Sequence, residues 1–403
     1  MVQGTAILVV DFGNSSTKCT VLFGKDSQTG RYRERKFELS NVFAPIEDDY
    51  VVSPDYSNAS STILNVKSSV NGMQVDGHFC NGELQEHERP MATIKPSAFD
   101  KKYNLEATIL SLRLALLHGY KSIMAMQRVS DENQMDIKWK VVTLLPPGDI
   151  DVGRDAMSDL IKEVKEVDSV FPAMKFKVDI ETVTVLPEGF CAYAAVIYDK
   201  GQIYRRGFEH LKDETVMVFD IGAGTTDCMI IRNNKLIQDS KHTVEQGGNN
   251  VHNLVRKELR MQGLDLDERA IINGVVSGKV KDGATTIGIA DKVNSAKDKV
   301  AQKIISDFQD YLSTVDIRMR SIGYVLICGG GSMSDVSCPE ITPLSESIIT
   351  LLKRLSPNME LVSLPKETVR ISHEDGEGYT TEQEVSARML NCLGASILAE
   401  SIK

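Results

Sequence analysis

Short apolar runs alternate with glycine-rich turns and with stretches of helical spacing along most of this chain. Ala6-Ile-Leu-Val-Val10 reads as a buried strand and Thr20-Val-Leu-Phe23 as its return, so residues 5–23 form a hairpin. Val216-Met-Val-Phe219 and Cys228-Met-Ile-Ile231 repeat the arrangement in the second half. Trp139-Lys-Val-Val-Thr-Leu-Leu145 is a further strand, stopped by Pro146-Pro-Gly148. Residues 151–167 have helical spacing, with Met157, Leu160, Ile161, Val164 and Val167 on one face. Residues 176–186 alternate as a strand, Pro187-Glu188-Gly189 ends it, and residues 190–197 read as a short buried helix. Further helices are expected over 106–117, from Val251 to at least Leu259, over 295–312, over 342–355 with Pro343 in the first turn, and over 386–402. Tyr324-Val-Leu-Ile-Cys328 is a third buried strand. Residues 24–105 predict a small β-rich subdomain with long loops, 41–60 among them, while 265–288 is ambiguous.

At 403 residues the chain is expected to hold two or more domains. Its 42% hydrophobic and 25% charged residues are those of an ordinary soluble globular protein. A net charge of −10 and a pI near 5.4 argue against a direct grip on nucleic acid over a large surface. The basic run Arg31-Tyr-Arg-Glu-Arg-Lys36 is better read as a solvated hairpin edge. The seven cysteines form no C-x-x-C pair, and Cys19, Cys191, Cys228, Cys328 and Cys392 sit in apolar surroundings, which fits a reducing cytoplasm. The N-terminal apolar run is too short for a signal sequence, and no stretch approaches the length of a membrane span, so no membrane partner is expected.

The chemistry concentrates in two turns that are versions of one another. Asp11-Phe-Gly-Asn-Ser-Ser-Thr-Lys18 and Asp220-Ile-Gly-Ala-Gly-Thr-Thr-Asp227 each follow a buried strand. They share the leading Asp, the Gly two residues on and the Thr four residues after that. A carboxylate at a strand end is a hard oxygen ligand suited to Mg²⁺ or its water shell. Glycine admits close backbone approach, and the N–H and hydroxyl groups that follow make a cradle for an anion. One such turn is also how an ordinary hairpin ends. Two of them, about half a chain apart, suggest related halves clasping one polyphosphate.

Two further pieces complete the pattern, Leu186-Pro-Glu-Gly-Phe-Cys-Ala-Tyr-Ala194 and Leu326-Ile-Cys-Gly-Gly-Gly-Ser332. The four motifs, in this order and spacing, resemble those of the actin, sugar-kinase and heat-shock-chaperone ATPase superfamily, and most of all the bacterial actin-like proteins of the ParM group. The β-rich insert and Asp76-Gly-His-Phe-Cys-Asn-Gly-Glu83 also look like that group. The resemblance implies an α/β, actin-like (ribonuclease H-like) two-domain fold with a nucleotide cleft between its halves. Domain I would span 1–190, with the small subdomain inserted at about 31–105 and the closing helix 386–402 packed back onto it. Domain II would span 191–385.

By the same resemblance, Gly13, Asn14, Ser15 and Ser16 would hold the β- and γ-phosphates, with Lys18 as a point charge on them. Asp11 and Asp220 would hold hydrated Mg²⁺, and Gly222, Gly224, Thr225 and Thr226 would form the opposing half of the clasp. Gly329, Gly330, Gly331 and Ser332 would pass close under the nucleoside, and Gly247 and Gly248 would line its ribose side. Glu188 would position the attacking water. Phe12 departs from the polar or variable residue common there in relatives. The implied function is an Mg-dependent ATPase, with GTP as the other candidate nucleotide. It would polymerise head to tail into dynamic filaments and segregate plasmid or other DNA cargo through a DNA-binding adaptor. The alternatives are a chaperone-type ATPase, which the lack of a substrate-binding domain after Lys403 disfavours, and a small-molecule kinase.

Overall fold

The structure, a computed structural model, describes residues 2–14, 16–53, 55–56, 61–88, 93–96, 100–130, 135–332, 337–364, 368–372, 380–384 and 386–402, the strands at 368–372 and 380–384 as backbone. It is built on two large sheets. In the first, Val2–Phe12 and Ser16–Lys25 pair antiparallel, with Asp11 opposite Lys18. Met135–Leu145 runs parallel to Val2–Phe12, and Asp179–Pro187 lies parallel beyond it. On the other side, Tyr32–Ser40 and then the hairpin Thr368–Ser372/Thr380–Glu384 bring the sheet to seven strands.

The second sheet opens with the same device. Thr215–Ile221 and Thr226–Arg232 pair antiparallel with Asp220 opposite Asp227. Tyr324–Cys328 runs parallel to Thr215–Ile221, and the short strands Lys235–Leu236, His242–Val244 and Glu360–Leu361 make six in all.

Each central strand is buried on both faces, and its alternation sorts side chains between two helix layers. Ala6, Leu8 and Val10 share a core with the long helix Glu106–Gln127. Ile7 and Val9 pack instead with Cys191, Cys392 and Ala395 of the helices Phe190–Ile197 and Leu390–Ala399. In the second sheet, Met217, Phe219 and Ile221 face the helices Gly248–Met261 and Ala290–Thr314. Val216 and Val218 meet the other side of the same central pair, at Ala192, Leu390 and Leu393. Phe190–Ile197 and Leu390–Ala399 are therefore sandwiched between the sheets. They approach so closely that a Cβ on Gly394 would overlap the carbonyl of Cys191.

A smaller five-stranded sheet is formed by Phe43–Ile46, Met73–Gly82, Ser61–Val70, Glu166–Phe171 and Met174–Lys177. Three expectations change here. Tyr32–Ser40, read as the start of the insert, belongs to the first large sheet, because buried Phe37 and Leu39 join that sheet's core. The helix expected over 151–167 is Ile150–Glu163, and its last apolar residue, Val167, lies in a strand of the small sheet. The strand expected over 176–186 is two, Met174–Lys177 in the small sheet and Asp179–Pro187 in the large one. The ambiguous 265–288 holds the helix Glu268–Ser277, N-capped by the Asp267 carboxylate on the Ala270 N–H at 2.7 Å. A hairpin of Lys279–Asp282 and Thr285–Gly288 follows it. Phe12 is buried in the first core. Among the described residues no helix is long and apolar enough to cross a membrane.

Candidate functional site

Both sheets end their opening hairpins at one cleft of about 800 Å³. The two turns share their internal geometry. Gly13 N–H donates to the Ser16 carbonyl at 3.1 Å, and Gly222 N–H donates to the Thr225 carbonyl at 2.8 Å. In each turn the glycine stands two residues after the aspartate and its N–H reaches the carbonyl three residues on. The register places Lys18 across from Asp11 in one hairpin and Asp227 across from Asp220 in the other. Both turns line the cleft, through Asp11, Gly13, Asn14 and Lys18 on one side and Asp220, Gly222, Ala223, Thr225 and Asp227 on the other.

The second turn is braced by its neighbours. Gly248 N–H donates to the Gly222 carbonyl at 3.0 Å and Asn249 N–H to the Ala223 carbonyl at 2.7 Å, which docks the start of the helix Gly248–Met261 on the turn. The glycine triplet after Tyr324–Cys328 lies against the same backbone. Gly329 adopts φ +86, and a Cβ on it or on Gly331 would overlap backbone oxygens of Ile221 or Gly222.

Between the two turns stands Glu188, at the end of the strand Asp179–Pro187. Its N–H is fixed on the Leu145 carbonyl at 2.9 Å. Gly189 follows with φ +65 and turns the chain into the helix Phe190–Ile197. The Glu188 carboxylate is buried and takes an ion pair from the equally buried Lys102. Asn391, at the start of the last helix, accepts from Gly189 N–H at 2.8 Å through Oδ1 and donates to Asp220 Oδ2 through Nδ2. Thr243 donates to Asp227 Oδ1 at 2.6 Å.

Four buried carboxylates, Asp11, Glu188, Asp220 and Asp227, thus share the cleft with Lys18 and Lys102. Burial pushes Glu188 up to about 8, with Lys102 pulling it down and Asp11 and Asp220 adding to the push. Burial likewise pushes Asp227 up to about 7, against the Thr243 hydrogen bond and with help from the Asp220 charge. Asp220 is raised by burial, partly offset by Asn391. Lys102 is desolvated too, but the charges of Glu188 and Asp11 outweigh this and keep it protonated. This excess of buried negative charge fits a divalent cation. Among the described residues no three His, Cys, Asp or Glu side chains form a group that could hold a metal ion by themselves. Such an arrangement suits Mg²⁺, which keeps water and phosphate oxygens as ligands.

Ile272, Val275 and Val276 from the helix Glu268–Ser277 form an apolar wall, and the glycine triplet Gly329–Gly331 also lines the cleft. The cleft therefore offers both charged and apolar lining, as a nucleotide needs.

The fold is actin-like. Solved structures match it over nearly the whole chain. The actin-like protein Alp7A is 16% identical with a TM-score of 0.66, covering 99% of this chain and 97% of that one. A 15-stranded ParM filament structure from Clostridium botulinum is 15% identical with a TM-score of 0.63, covering 99% and 100%. An archaeal actin homologue in complex with ADP is 14% identical with a TM-score of 0.60, covering 98% and 100%. Residues 218–334 match the family described as archaeal actin homologue MreB-like, C-terminal. No curated protein matches the chain by sequence.

Within this actin-like cleft, twelve of the residues expected from the sequence are lining residues: Asp11, Gly13, Asn14, Lys18, Glu188, Asp220, Gly222, Thr225, Gly248 and Gly329–Gly331. Others lie behind it. The Thr226 hydroxyl donates to the Gln246 carbonyl at 2.7 Å, and the Ser332 hydroxyl to the Gly329 carbonyl at 2.8 Å. Gly247 packs on the Gly222 and Ala223 carbonyls, beneath the turn. Gly224 is buried within the turn. The Ser16 hydroxyl is engaged by Glu38 and Arg388 instead of facing the cleft. Ser15 lies outside the described residues.

The sequence reading missed Lys102, Asp227, Asn391, Arg388 and Thr243. Asp227 carried a usable signal, since it occupies in the second turn the place of Lys18 in the first. Lys102 carried none: it lies in a polar stretch with no period, and tertiary folding alone brings it to Glu188.

Proposed function

We propose that this chain is a nucleotide hydrolase that cleaves ATP in the cleft between its two sheets and uses the nucleotide state to control head-to-tail self-assembly. The observation that carries the reading is the pair of turns with one register, facing each other across buried Glu188. Gly13, Asn14 and Lys18 receive the phosphates from one side, and Gly222 and Thr225 from the other. Asp11 and Asp220 hold hydrated Mg²⁺, which when bound neutralises phosphate charge. The nucleoside lies toward Gly329–Gly331 and the apolar wall of Ile272, Val275 and Val276. Glu188 orients a water on the γ-phosphorus and accepts its proton. The water oxygen bonds to phosphorus as the bond to the β–γ bridging oxygen breaks, giving ADP and phosphate. A carboxyl poised near neutral pH suits that exchange. Lys102 lowers the Glu188 carboxyl against the push of burial and brings a positive charge to the cleft.

The assembly reading draws on the likeness to actin-type proteins, among them the ParM filament. A head-to-tail contact does not close, so it propagates into a filament. Loss of the γ-phosphate needs to change the contact by only about 1.4 kcal/mol to shift subunit affinity tenfold. Cargo is expected to be plasmid or other DNA, taken through a separate DNA-binding adaptor because the chain itself carries a net charge of −10. The test is right-angle light scattering after addition of Mg-ATP across a concentration series, with electron microscopy at the plateau. A critical concentration and filaments that decay as ATP is consumed support the reading. Steady turnover without scattering at any concentration would refute self-assembly and favour a chaperone-type or kinase role.

A further inference from the structure

The last helix contributes a side chain to this cleft that touches both halves of the proposed catalytic machinery. Asn391 is buried at the first turn of Leu390–Ala399. Its Oδ1 accepts the Gly189 N–H at 2.8 Å, immediately after Glu188, and its Nδ2 donates to Asp220 Oδ2. Glu188 ends a strand of the first sheet and Asp220 ends a strand of the second. No backbone hydrogen bond of either sheet fixes one relative to the other. A carboxamide meets this requirement because one planar group offers both an acceptor and a donor.

The helix that carries Asn391 is itself held hard. Gly394, almost one turn on, packs directly on the Cys191 carbonyl of the helix that Gly189 begins. Its apolar faces are divided between the two sheets: Cys392 and Ala395 pack with the first, Leu390 and Leu393 with the second. A rotation of one sheet against the other is therefore felt at this helix, and Asn391 is where it reaches the reacting groups. Gly189 adds sensitivity. At φ +65, and with Met229 filling the space where a Cβ would go, its turn has little freedom of its own.

We propose that Asn391 is a positioning residue, whose side-chain amide holds the turn carrying Glu188 in register with Asp220 and so sets where the water-orienting carboxylate stands relative to the metal-binding one. The inference rests on the hydrolase reading above. The amide acts through the two carboxylate-bearing strand ends that it joins, and is assigned no proton transfer of its own.

The test is a double-substitution cycle in ATP hydrolysis at saturating Mg-ATP, with Asn391→Ala, Glu188→Ala and both together. Asn391→Ala is expected to lower kcat about ten- to a hundred-fold, the effect of a misplaced group, with KM moving less than about threefold. In the Glu188→Ala background the same substitution is expected to cost at least about tenfold less, since the water-orienting carboxylate is no longer there to be positioned. An equal loss in both backgrounds, or none in either, overturns the proposal and leaves Asn391 a packing residue. Asn391→Asp runs the same cycle should the alanine variant fail to fold. It keeps the acceptor for Gly189 but sets a carboxyl against Asp220 in place of the amide donor, and is expected to lower kcat more in the presence of Glu188 than in its absence. Absence of ATP turnover in the unsubstituted chain would overturn the hydrolase reading and this inference together. Turnover that is insensitive to Asn391 would overturn the inference and leave the hydrolase standing.

Discussion

Asp227→Asn should make the nucleotide-free protein more stable, and increasingly so as the pH rises. The carboxyl is buried, accepts a 2.6 Å hydrogen bond from Thr243 and lies near Asp220. Burial holds it at about 7 in the fold, against 3.8 ordinarily. A folded value above the unfolded one means the fold binds the proton more tightly. The associated stability is then fully present below about pH 4 and is lost as the pH rises through about 7. At about 1.4 kcal/mol for each pH step between the two values, the full cost of ionising Asp227 in the fold approaches about 4 kcal/mol, and relaxation of the surroundings brings this to about 2–4 kcal/mol. An asparagine has nearly the same shape, keeps an acceptor for Thr243 and never ionises. For a unit of about 200 residues, 1 kcal/mol moves Tm by about 2–4 °C, so the gain near pH 8 should be about 4–16 °C. The assay is thermal melting of both proteins, without nucleotide or divalent cation, at intervals from pH 4.5 to pH 8. The gain should shrink steadily toward the acid end. A gain independent of pH, or a loss at every pH, would show that no burial cost of this carboxylate is being relieved.

Three further outcomes follow from the same geometry. Glu188→Ala should retain nucleotide-dependent assembly but release phosphate about 10²–10⁴-fold more slowly; a normal rate would remove Glu188 from the water-positioning role. Lys102→Met deletes the charge that lowers Glu188, so the acid limb of the kcat–pH profile should move to higher pH, and an unmoved limb would mean the pair is not formed during turnover. Gly331→Ala places a methyl on the Gly222 carbonyl, which should cost about 1–3 kcal/mol in melting experiments and weaken ADP binding by calorimetry; unchanged values for both would show that the two turns do not pack as described.

What the sequence made legible was what local pattern dictates. Both hairpins, the strand before the glycine triplet and most of the long helices follow from runs and periods within a single segment. The aspartates, glycines and Glu188 were legible because their spacing within each turn is chemical as well as structural. The misplacements arise where a residue's partners lie in another element. Tyr32–Ser40 resembles the polar insert by composition, but Phe37 and Leu39 complete the first core. Val167 has helical spacing from Met157, yet it is drawn into the small sheet by Phe176 across the strand pair. Lys102, Arg388 and Asn391 belong to segments whose own pattern says loop or apolar helix. Their neighbours at the site lie 86 residues from Lys102, 350 from Arg388 and 171 from Asn391.

The two turns also differ in a way that explains why both are needed. Their backbones share one hydrogen-bond pattern and one register, so the fold presents the residue opposite the leading aspartate to the cleft in each. In the first hairpin that residue is Lys18 and in the second it is Asp227. A lysine there suits an anion, and a carboxylate buried beside Asp220 suits a cation. A phosphate chain carrying a divalent ion satisfies both at once, whereas either alone leaves one turn with an uncompensated buried charge. Glu188 and Asn391 stand between the turns, at the position where the two requirements meet. The stability cost of Asp227 in the empty protein is the counterpart of this arrangement. On the reading proposed above, the cleft takes a charge distribution that the polypeptide does not itself supply, one that brings positive and negative charge together.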